Sequence, residues 1–339
     1  MDQLFQKAVV FTDAHFGRSN DDPIANQDNL DFIEWMIDRA RSWGAETCLF
    51  LGDLFHSRAA VGVTSLQAAL TGLEKVSGAG FKRTVLLLGN HDIARRQSRE
   101  IASLNFSRHL PNVTLITNPL IVDDVMFLPW LIDDDIPRQK TRYVFAHLET
   151  IGAMMNARIP CLGGPHAVDA TTFAGHDYTL SGHFHQRQAI DCPGGGQILY
   201  IGSIFPFDFS DANDHQRGIT LLQWGREPIF ESWSQQPLYR TLKLSEVASD
   251  TLDLRPKTTV RLAVDLPVRY EEAQEIRDSL ISLYGLRKVE MRNLKTVADA
   301  VPVVVEQQSI DQIMIQGLRN IDSVGLSADR LVELYQRLN

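Results

Sequence analysis

Five times along this chain a short run of branched and aromatic apolar residues stops abruptly at Asp, Asn or His. Ala8-Val9-Val10-Phe11 runs into Thr12-Asp13-Ala14-His15, Leu49-Phe50-Leu51 into Gly52-Asp53-Leu54-Phe55-His56, and Val85-Leu86-Leu87-Leu88 into Gly89-Asn90-His91-Asp92. Tyr143-Val144-Phe145-Ala146 ends at His147, and Tyr178-Thr179-Leu180-Ser181 ends at Gly182-His183-Phe184-His185. Each run is too brief for a helix, and unbroken apolarity marks a strand covered on both faces. A buried strand that ends in a polar side chain delivers it to the mouth of the sheet, where sites form in α/β proteins. A lone Gly-Asp or Asp-x-His is usually a turn or a cap. Five such endings in one chain point to a site.

The intervening segments set the architecture. Asn26 to Trp43 places Leu30, Ile33, Ile37 and Ala40 on one face before Gly44, and Val63 to Val76 carries Leu66, Leu70 and Leu73 on a stripe before Gly78 and Gly80; both read as amphipathic helices. Arg99 to Leu110, stopped by Pro111, is predicted to be a third. Strand, helix, strand, helix, strand implies parallel pairing with right-handed crossovers. After Pro111 the texture changes to short strands, Val113–Thr117, Leu120–Val122 and Val125–Leu128, with Asp123-Asp124 as a hairpin turn, and later Gln197–Ile201 and Gly218–Gln223. The mixed α/β domain runs over residues 1–237. From 238 to 300 the pattern is a small α+β module: a strand at Thr258–Leu266, a helix at Glu271–Tyr284 and a strand at Lys288–Arg292. Residues 301–339 then read as Val301–Val305 followed by two short helices, capped by Ser309 and Ser327.

The bulk properties exclude several classes. An apolar content of 44% with 22% charged residues over 339 residues is that of an ordinary soluble protein. A net charge of −9 argues against a free-standing, strongly basic nucleic-acid binder, though not against local basic patches. The three cysteines, Cys48, Cys161 and Cys192, have no paired spacing and read as thiols in a reducing compartment. No 18-residue apolar run appears, so a cytoplasmic protein with no membrane span is expected.

Asp13, His15, Asp53, Asn90, His147, His183 and His185 are all oxygen or imidazole ligands. They are too many for one tetrahedral zinc and suit two divalent ions with positions left for water and substrate. Such mixed ligation favours manganese, iron or zinc over calcium. Two ions ~3.5–4 Å apart clamp a phosphate ester and acidify an attacking water. His109, His166, His176 and His215 stand alone and read as surface or structural residues.

Together these motifs resemble the signature set of the calcineurin-like metallophosphoesterases. The resemblance implies a four-layer α/β/β/α sandwich, with Asp13, His15, Asp53 and His185 holding one metal, Asp53, Asn90, His147 and His183 the other, and Asp53 bridging. It also implies that His91 faces the scissile phosphate with Asp92 orienting its ring. Gly52-Asp53-Leu54-Phe55-His56, Leu128-Pro129-Trp130, His147-Leu148-Glu149, Tyr200-Ile201-Gly202-Ser203 and Arg217-Gly218 are similar to the SbcD-type DNA repair nucleases, and the length and Asn213-Asp214 to the bacteriophage recombination version of that branch. That further resemblance implies several expectations. His56 shapes the site for DNA, and two metal ions work there, manganese before magnesium. The 238–300 module caps the DNA, the 301–339 helices dock on an SbcC-type coiled-coil ATPase, and the helices at Val63–Val76 and Arg99–Leu110 build a homodimer. The activity expected is exonucleolytic on duplex ends and endonucleolytic on single strands or hairpins. Basic residues placed to meet DNA are Arg58, Arg95, Arg96 and Arg99, with Arg287, Lys288, Arg292 and Lys295 in the module. The alternatives are a small-substrate phosphatase or phosphodiesterase with the same metal core, and a scaffold that has lost catalysis; the second would need a missing ligand, and none is missing.

Overall fold

A computed structural model describes residues 3–132, 135–155, 159–212, 214–247 and 254–292, with Ser327, Asp329, Arg330 and Val332 beyond them. The predicted segment Val301–Val305 and the bodies of both terminal helices lie outside the described residues.

The apolar runs form the cores of two six-stranded sheets packed face to face. In the first, Lys7–Phe11, Thr47–Phe50, Arg83–Leu87 and Val113–Ile116 lie side by side and parallel, and Gly218–Gln223 and Ile229–Ser232 extend the edge antiparallel. In the second, Val125–Leu128, Tyr143–His147, Tyr178–Gly182 and Gln197–Tyr200 are parallel, flanked by the antiparallel strands Leu120–Val122 and Gln188–Asp191. Strand periodicity sends alternate side chains to opposite faces. Val10, Leu49, Leu51, Val85 and Leu87 therefore meet Phe127, Phe145 and Leu180 between the sheets. Their neighbours Val9, Phe11, Cys48, Phe50 and Leu86 face outward onto helices. The Asp123-Asp124 turn joins its two strands with left-handed φ of 50° and 61°, as a tight hairpin demands.

The helix Pro23–Trp43 begins three residues earlier than its apolar pattern, because Asp22 caps it by accepting from the Ile24 amide at 3.0 Å and Pro23 fits the first turn. Gly44 ends it at φ 79°. It buries Phe32, Ile33, Met36, Ile37 and Ala40 against the first sheet beside the helix Val63–Ser77. The fourth layer, over the second sheet, is a folded-over segment carrying Ala153, Cys161 and the 3-10 turn Ala170–Phe173.

The predicted helix at Arg99–Leu110 is not present. Residues Ile93–Arg95 and Ser98–Ala102 form a hairpin, followed by a 3-10 helix at Ser103–His109. Arg99 donates to the Trp130 carbonyl at 2.8 Å and pairs with Asp135, and the Ser103 amide reaches the Asp92 carbonyl at 2.8 Å, so tertiary anchors hold this stretch extended. The homodimer expectation loses that helix; Val63–Ser77 keeps Val63 and Leu66 exposed.

The small module is a βαβ-type unit. Leu238–Lys243, Thr258–Ala263 and Lys288–Arg292 are all parallel, and the helix Tyr270–Tyr284 crosses over between the last two. Val260, Leu262, Val264, Leu280 and Val289 make its own core. It docks on the Pro23–Trp43 helix through ions. Arg287 grips buried Asp28 with two bonds at 2.6 and 3.0 Å, and Lys257 reaches Asp28 and Asp31 at 3.2 and 2.6 Å.

Candidate metal centre

At the carboxyl ends of these strands the chain must turn sharply while neighbouring ends stay in contact. Asp13, His15, Asp53 and His183 all adopt left-handed backbone, with φ of 52°, 49°, 61° and 88°. Such conformations cost of order 1–3 kcal/mol each and concentrate at functional sites. The loops are zipped together: the Asp13 amide donates to the Gly52 carbonyl at 3.0 Å, His15 to Asp53 at 3.1 Å, and His56 to Phe16 at 2.9 Å. Two glycines make the approach sterically feasible. A Cβ at Gly89 would stand 2.1 Å from an Asp53 carboxylate oxygen, and one at Gly182 2.2 Å from Thr12 Oγ1. The helix Pro23–Trp43 holds the first loop from behind, with buried Asn29 donating to the Ala14 carbonyl and buried Asn26 accepting from the Gly17 amide, at 3.0 and 2.9 Å.

The seven predicted ligands converge. Asp13, His15 and His185 form one group and Asp53, His147 and His183 another, each with its ligand atoms within 4.8 Å of one another. The two imidazole nitrogens of His15 and His185 stand 3.2 Å apart, with Asp13 3.7 and 3.9 Å from them. Asp53 lies between the groups, its carboxylate 3.7 Å from His15 Nε2 and 3.3 Å from His147 Nε2. Asn90 Oδ1 faces His147 Nε2 at 3.0 Å and His183 Nδ1 at 2.9 Å. His147 Nδ1 donates to the Leu51 carbonyl at 2.7 Å, which fixes the tautomer and leaves Nε2 toward Asp53.

Burial drives His15 and His183 well below the ordinary imidazole range, and burial with the His15 ring pushes His185 down to about 3. These three present lone pairs, not protons. Burial would raise Asp53, but the rings of His147, His15 and His91 hold it well below the usual carboxylate range. The same pairing, against burial, lifts His147 to about 9. Burial raises Asp13, opposed by His147 and His185. Neutral imidazoles crowded nitrogen to nitrogen around ionised carboxylate repel one another unless a cation lies between them. The donor set fits two divalent ions.

His91 and His56 stand at the open face. Their rings stack at 6.0 Å, and each meets the His15 ring edge-on, at 5.0 and 5.4 Å. His91 Nδ1 lies 2.6 Å from the His56 carbonyl, which can only accept, so Nδ1 carries the proton and Nε2 stays free. The expected role of Asp92 is corrected here. Its buried carboxylate accepts from the backbone amides of Asp53, Leu54 and Gly89 at 2.7, 2.9 and 2.9 Å, so it braces the loop of Asp53, and the His56 carbonyl orients His91. Two arginines are also reassigned: Arg99 is tied to Trp130 and Asp135, and Arg287 to Asp28. Arg58 donates to the Asn90 carbonyl at 2.8 Å beside the site, and Arg95 and Arg96 are exposed on the adjoining hairpin. Lys288 and Arg292 crowd Glu290 on the module, and Lys295 lies outside the described residues.

Several neighbours were not read as part of the site, though Trp130 stands in the Leu128-Pro129-Trp130 motif. Phe207 packs edge-on against both His15 and His185, at 5.3 and 5.0 Å. Trp130 lies 5.1 Å from His183 and 5.1 Å from His166, which brings a histidine read as isolated to the flank of the second group. His176 is structural, hydrogen-bonded with Thr141. The one legible hint was Asn26 and Asn29, two amides three apart on the apolar face of a helix.

The model of the calcineurin-like phosphoesterase family matches residues 7–187, which include all seven ligands, His56, His91 and Asp92. No curated protein sequence matches the chain. Similar solved structures include a dimetal phosphatase from Danio rerio (12% identical, covering 68% of this chain and 96% of that one, TM-score 0.45). The phosphoesterase Yfce from E. coli (14% identical, 64% and 88%, TM-score 0.34) and the nuclease MPE from Pseudomonas putida (16% identical, 66% and 87%, TM-score 0.30) are others. Similarities this low carry no information on substrate. The family match spans more than half of the chain and coincides with the site: this protein belongs to the calcineurin-like phosphoesterases, metal-dependent hydrolases of phosphoesters.

Proposed function

We propose that this phosphoesterase is a DNA nuclease, the cleaving subunit of an SbcCD-like repair or recombination complex. The observation that carries the reading is His56. A small ester needs one imidazole at its leaving oxygen, and His91 provides it. A second, exposed imidazole stacked beside it, with Arg58 held close by on the Asn90 carbonyl, is suited to a further phosphate, as a polymeric diester offers.

Asp13, His15, Asp53 and His185 would hold one divalent ion, and Asp53, Asn90, His147 and His183 the second, manganese being our reading and magnesium the other candidate. When bound, the ions polarise the phosphate and acidify the attacking water. His91, with Nδ1–H fixed on the His56 carbonyl, turns Nε2 to the substrate; Nε2 takes a proton first, making the ring an imidazolium, and then passes that proton to the leaving oxygen, returning to the neutral Nδ1–H form. Asp92 keeps Asp53 in place through the amides of its loop. His56 contacts the neighbouring phosphodiester. On this reading the 238–300 module caps the DNA, residues 301–339 dock on an SbcC-type ATPase, a second copy pairs through the Val63–Ser77 face, and the complex works in the cytoplasm, that of the infected host for a phage protein. Among the described residues no helix is long and apolar enough to cross a membrane.

The test is manganese-loaded protein on linear duplex DNA, single-stranded DNA and bis(p-nitrophenyl) phosphate, beside His91→Ala and Asp53→Asn. DNA cleavage that needs manganese and disappears in both variants is expected. Turnover of the small ester with DNA left intact, in the presence of the ATPase as well, would establish the small-substrate alternative.

A further inference from the structure

The loop that carries Asp13 and His15 continues through Gly17 into a cation that no described residue hydrogen-bonds. Arg18 is only 6% exposed, and its guanidinium lies over the rings of Phe207 and Phe205, at 4.1 and 4.8 Å. No described residue hydrogen-bonds to that guanidinium, and its Nε is fully buried without an acceptor. The carboxylates whose charge acts on it are Asp28 and Asp211. Both are already committed, Asp28 to Arg287 and Lys257, and Asp211 to Arg217 at 3.0 Å and to the Phe207 amide at 2.9 Å. The other buried arginine shows what a structural role looks like: Arg217 also leaves its Nε without an acceptor, but its two amino groups donate to Ser203, Asp211 and Asp214.

A buried charge without a counter-ion is among the most destabilising features a fold can hold, and two aromatic faces compensate it only in part. The backbone adds to the cost. Ser19, Asn20 and Asp21 follow Arg18 with left-handed φ of 54°, 62° and 61°, and the turn is pinned by Asn26 to Asp21 and to Gly17. The ring that Arg18 covers, Phe207, is the one that packs on His15 and His185. The guanidinium thus sits one aromatic ring away from the first metal group, where the catalytic domain meets Tyr239 of the small module.

We propose that Arg18 is a substrate-binding residue that takes a non-bridging oxygen of a phosphate flanking the scissile one. This rests on the nuclease reading above for the identity of the phosphate, but the anion site itself does not. A guanidinium fork with all its donors unused matches phosphate oxygens in pairs. The left-handed turn holds it ready, and the arriving anion supplies the counter-charge that the fold leaves out.

Manganese-loaded wild type, Arg18→Met and Arg18→Lys are compared on a decathymidylate and on bis(p-nitrophenyl) phosphate, which has no flanking phosphate. In Arg18→Met the ratio of kcat/KM on the oligonucleotide to that on the ester falls about tenfold or more, through KM, and Arg18→Lys recovers part of it. The melting temperature of metal-free Arg18→Met equals or exceeds that of wild type, because an unpaired buried charge has been removed. A melting temperature that drops with the ratio unchanged would make Arg18 a structural residue and overturn the proposal. If wild type cleaves the ester and no oligonucleotide, the nuclease reading fails separately. Inorganic phosphate then decides on the anion site: it stabilises metal-free wild type more than Arg18→Met, and equal stabilisation would sink the assignment.

Discussion

At the scale of single residues the centre is held by contacts that leave no room for one more carbon. Gly89→Ala places a methyl 2.1 Å from the Asp53 carboxylate and 2.5 Å from its amide. The Asp53 side chain, which lies between the two candidate groups, must then move. Overpacking of this kind costs roughly 1–3 kcal/mol of stability. The larger effect is on the ions: calorimetric titration should show manganese affinity down about 10- to 100-fold, the range seen when the support of a ligand is lost. An alanine protein with full affinity would mean that Asp53 is not where the ions bind. His147 sets the pH dependence. In the metal-free protein the Asp53 carboxylate keeps His147 protonated to about pH 9, so this ion pair stabilises the fold fully below the ordinary imidazole value of 6.5 and is lost as pH rises through about 9. Asp53, held low by the same pair, loses its share only in acid, as pH falls through its depressed value. Metal must displace the His147 proton to bind. The gain in melting temperature on adding manganese should therefore grow between pH 6.5 and 9; a gain that is flat across that window would show that His147 binds metal without giving up a proton.

At the scale of elements, the helix Pro23–Trp43 does two jobs on two faces. Asn26 and Asn29 hold the Asp13–His15 loop, and Asp28 and Asp31 hold the small module. Asp28→Ala leaves Arg287 facing an apolar methyl and Lys257 with Asp31 alone. Because both cations keep a quarter to a third of their side-chain surface in water, the cost is about 1–3 kcal/mol, less than for a fully buried pair. It should appear as earlier proteolysis between residues 232 and 238 with manganese affinity unchanged. Asn29→Ala should do the reverse, weakening manganese binding through His15. The five strands, both long helices and the convergence of the seven candidate ligands were legible, because a buried strand writes continuous apolarity and its end writes a polar residue. What failed did so where long-range contacts override local pattern. Arg99–Leu110 has helical spacing, yet Trp130, Asp135 and Asp92 draw it out. Asp92 reads as the partner of the histidine beside it in sequence, but its partners are the Gly89 amide and three amides 37 to 39 residues away. Phe207 and Arg18 look like ordinary loop residues until the fold closes them over the metal ligands.

At the scale of the whole molecule, the nuclease reading asks a chain of net charge −9 to draw DNA to a site that itself holds the carboxylates of Asp13 and Asp53. Several of its cations are committed internally: Arg287 and Lys257 dock the module, Arg99 anchors the hairpin and Arg217 is sealed in the core. The contacts left near the centre are few, which on this reading makes affinity depend on Arg58, Arg95 and Arg96 and on whatever surface a partner adds. Counterion release turns that into a measurable count, because each phosphate neutralised adds about −0.7 to −0.9 to the slope of log affinity against log salt. With a fluorescent oligonucleotide and metal-free protein, so that nothing is cleaved, replacing Arg95 and Arg96 together by Gln should flatten the slope by about 1.5. Arg99→Gln is the internal control four residues on. Its guanidinium is 8% exposed and held by Trp130 and Asp135, so the substitution should lower the melting temperature and leave the slope where it was. A slope that responds to Arg99 and ignores Arg95 and Arg96 would place the DNA path away from this hairpin, and with it away from the open face where His56 and His91 stand.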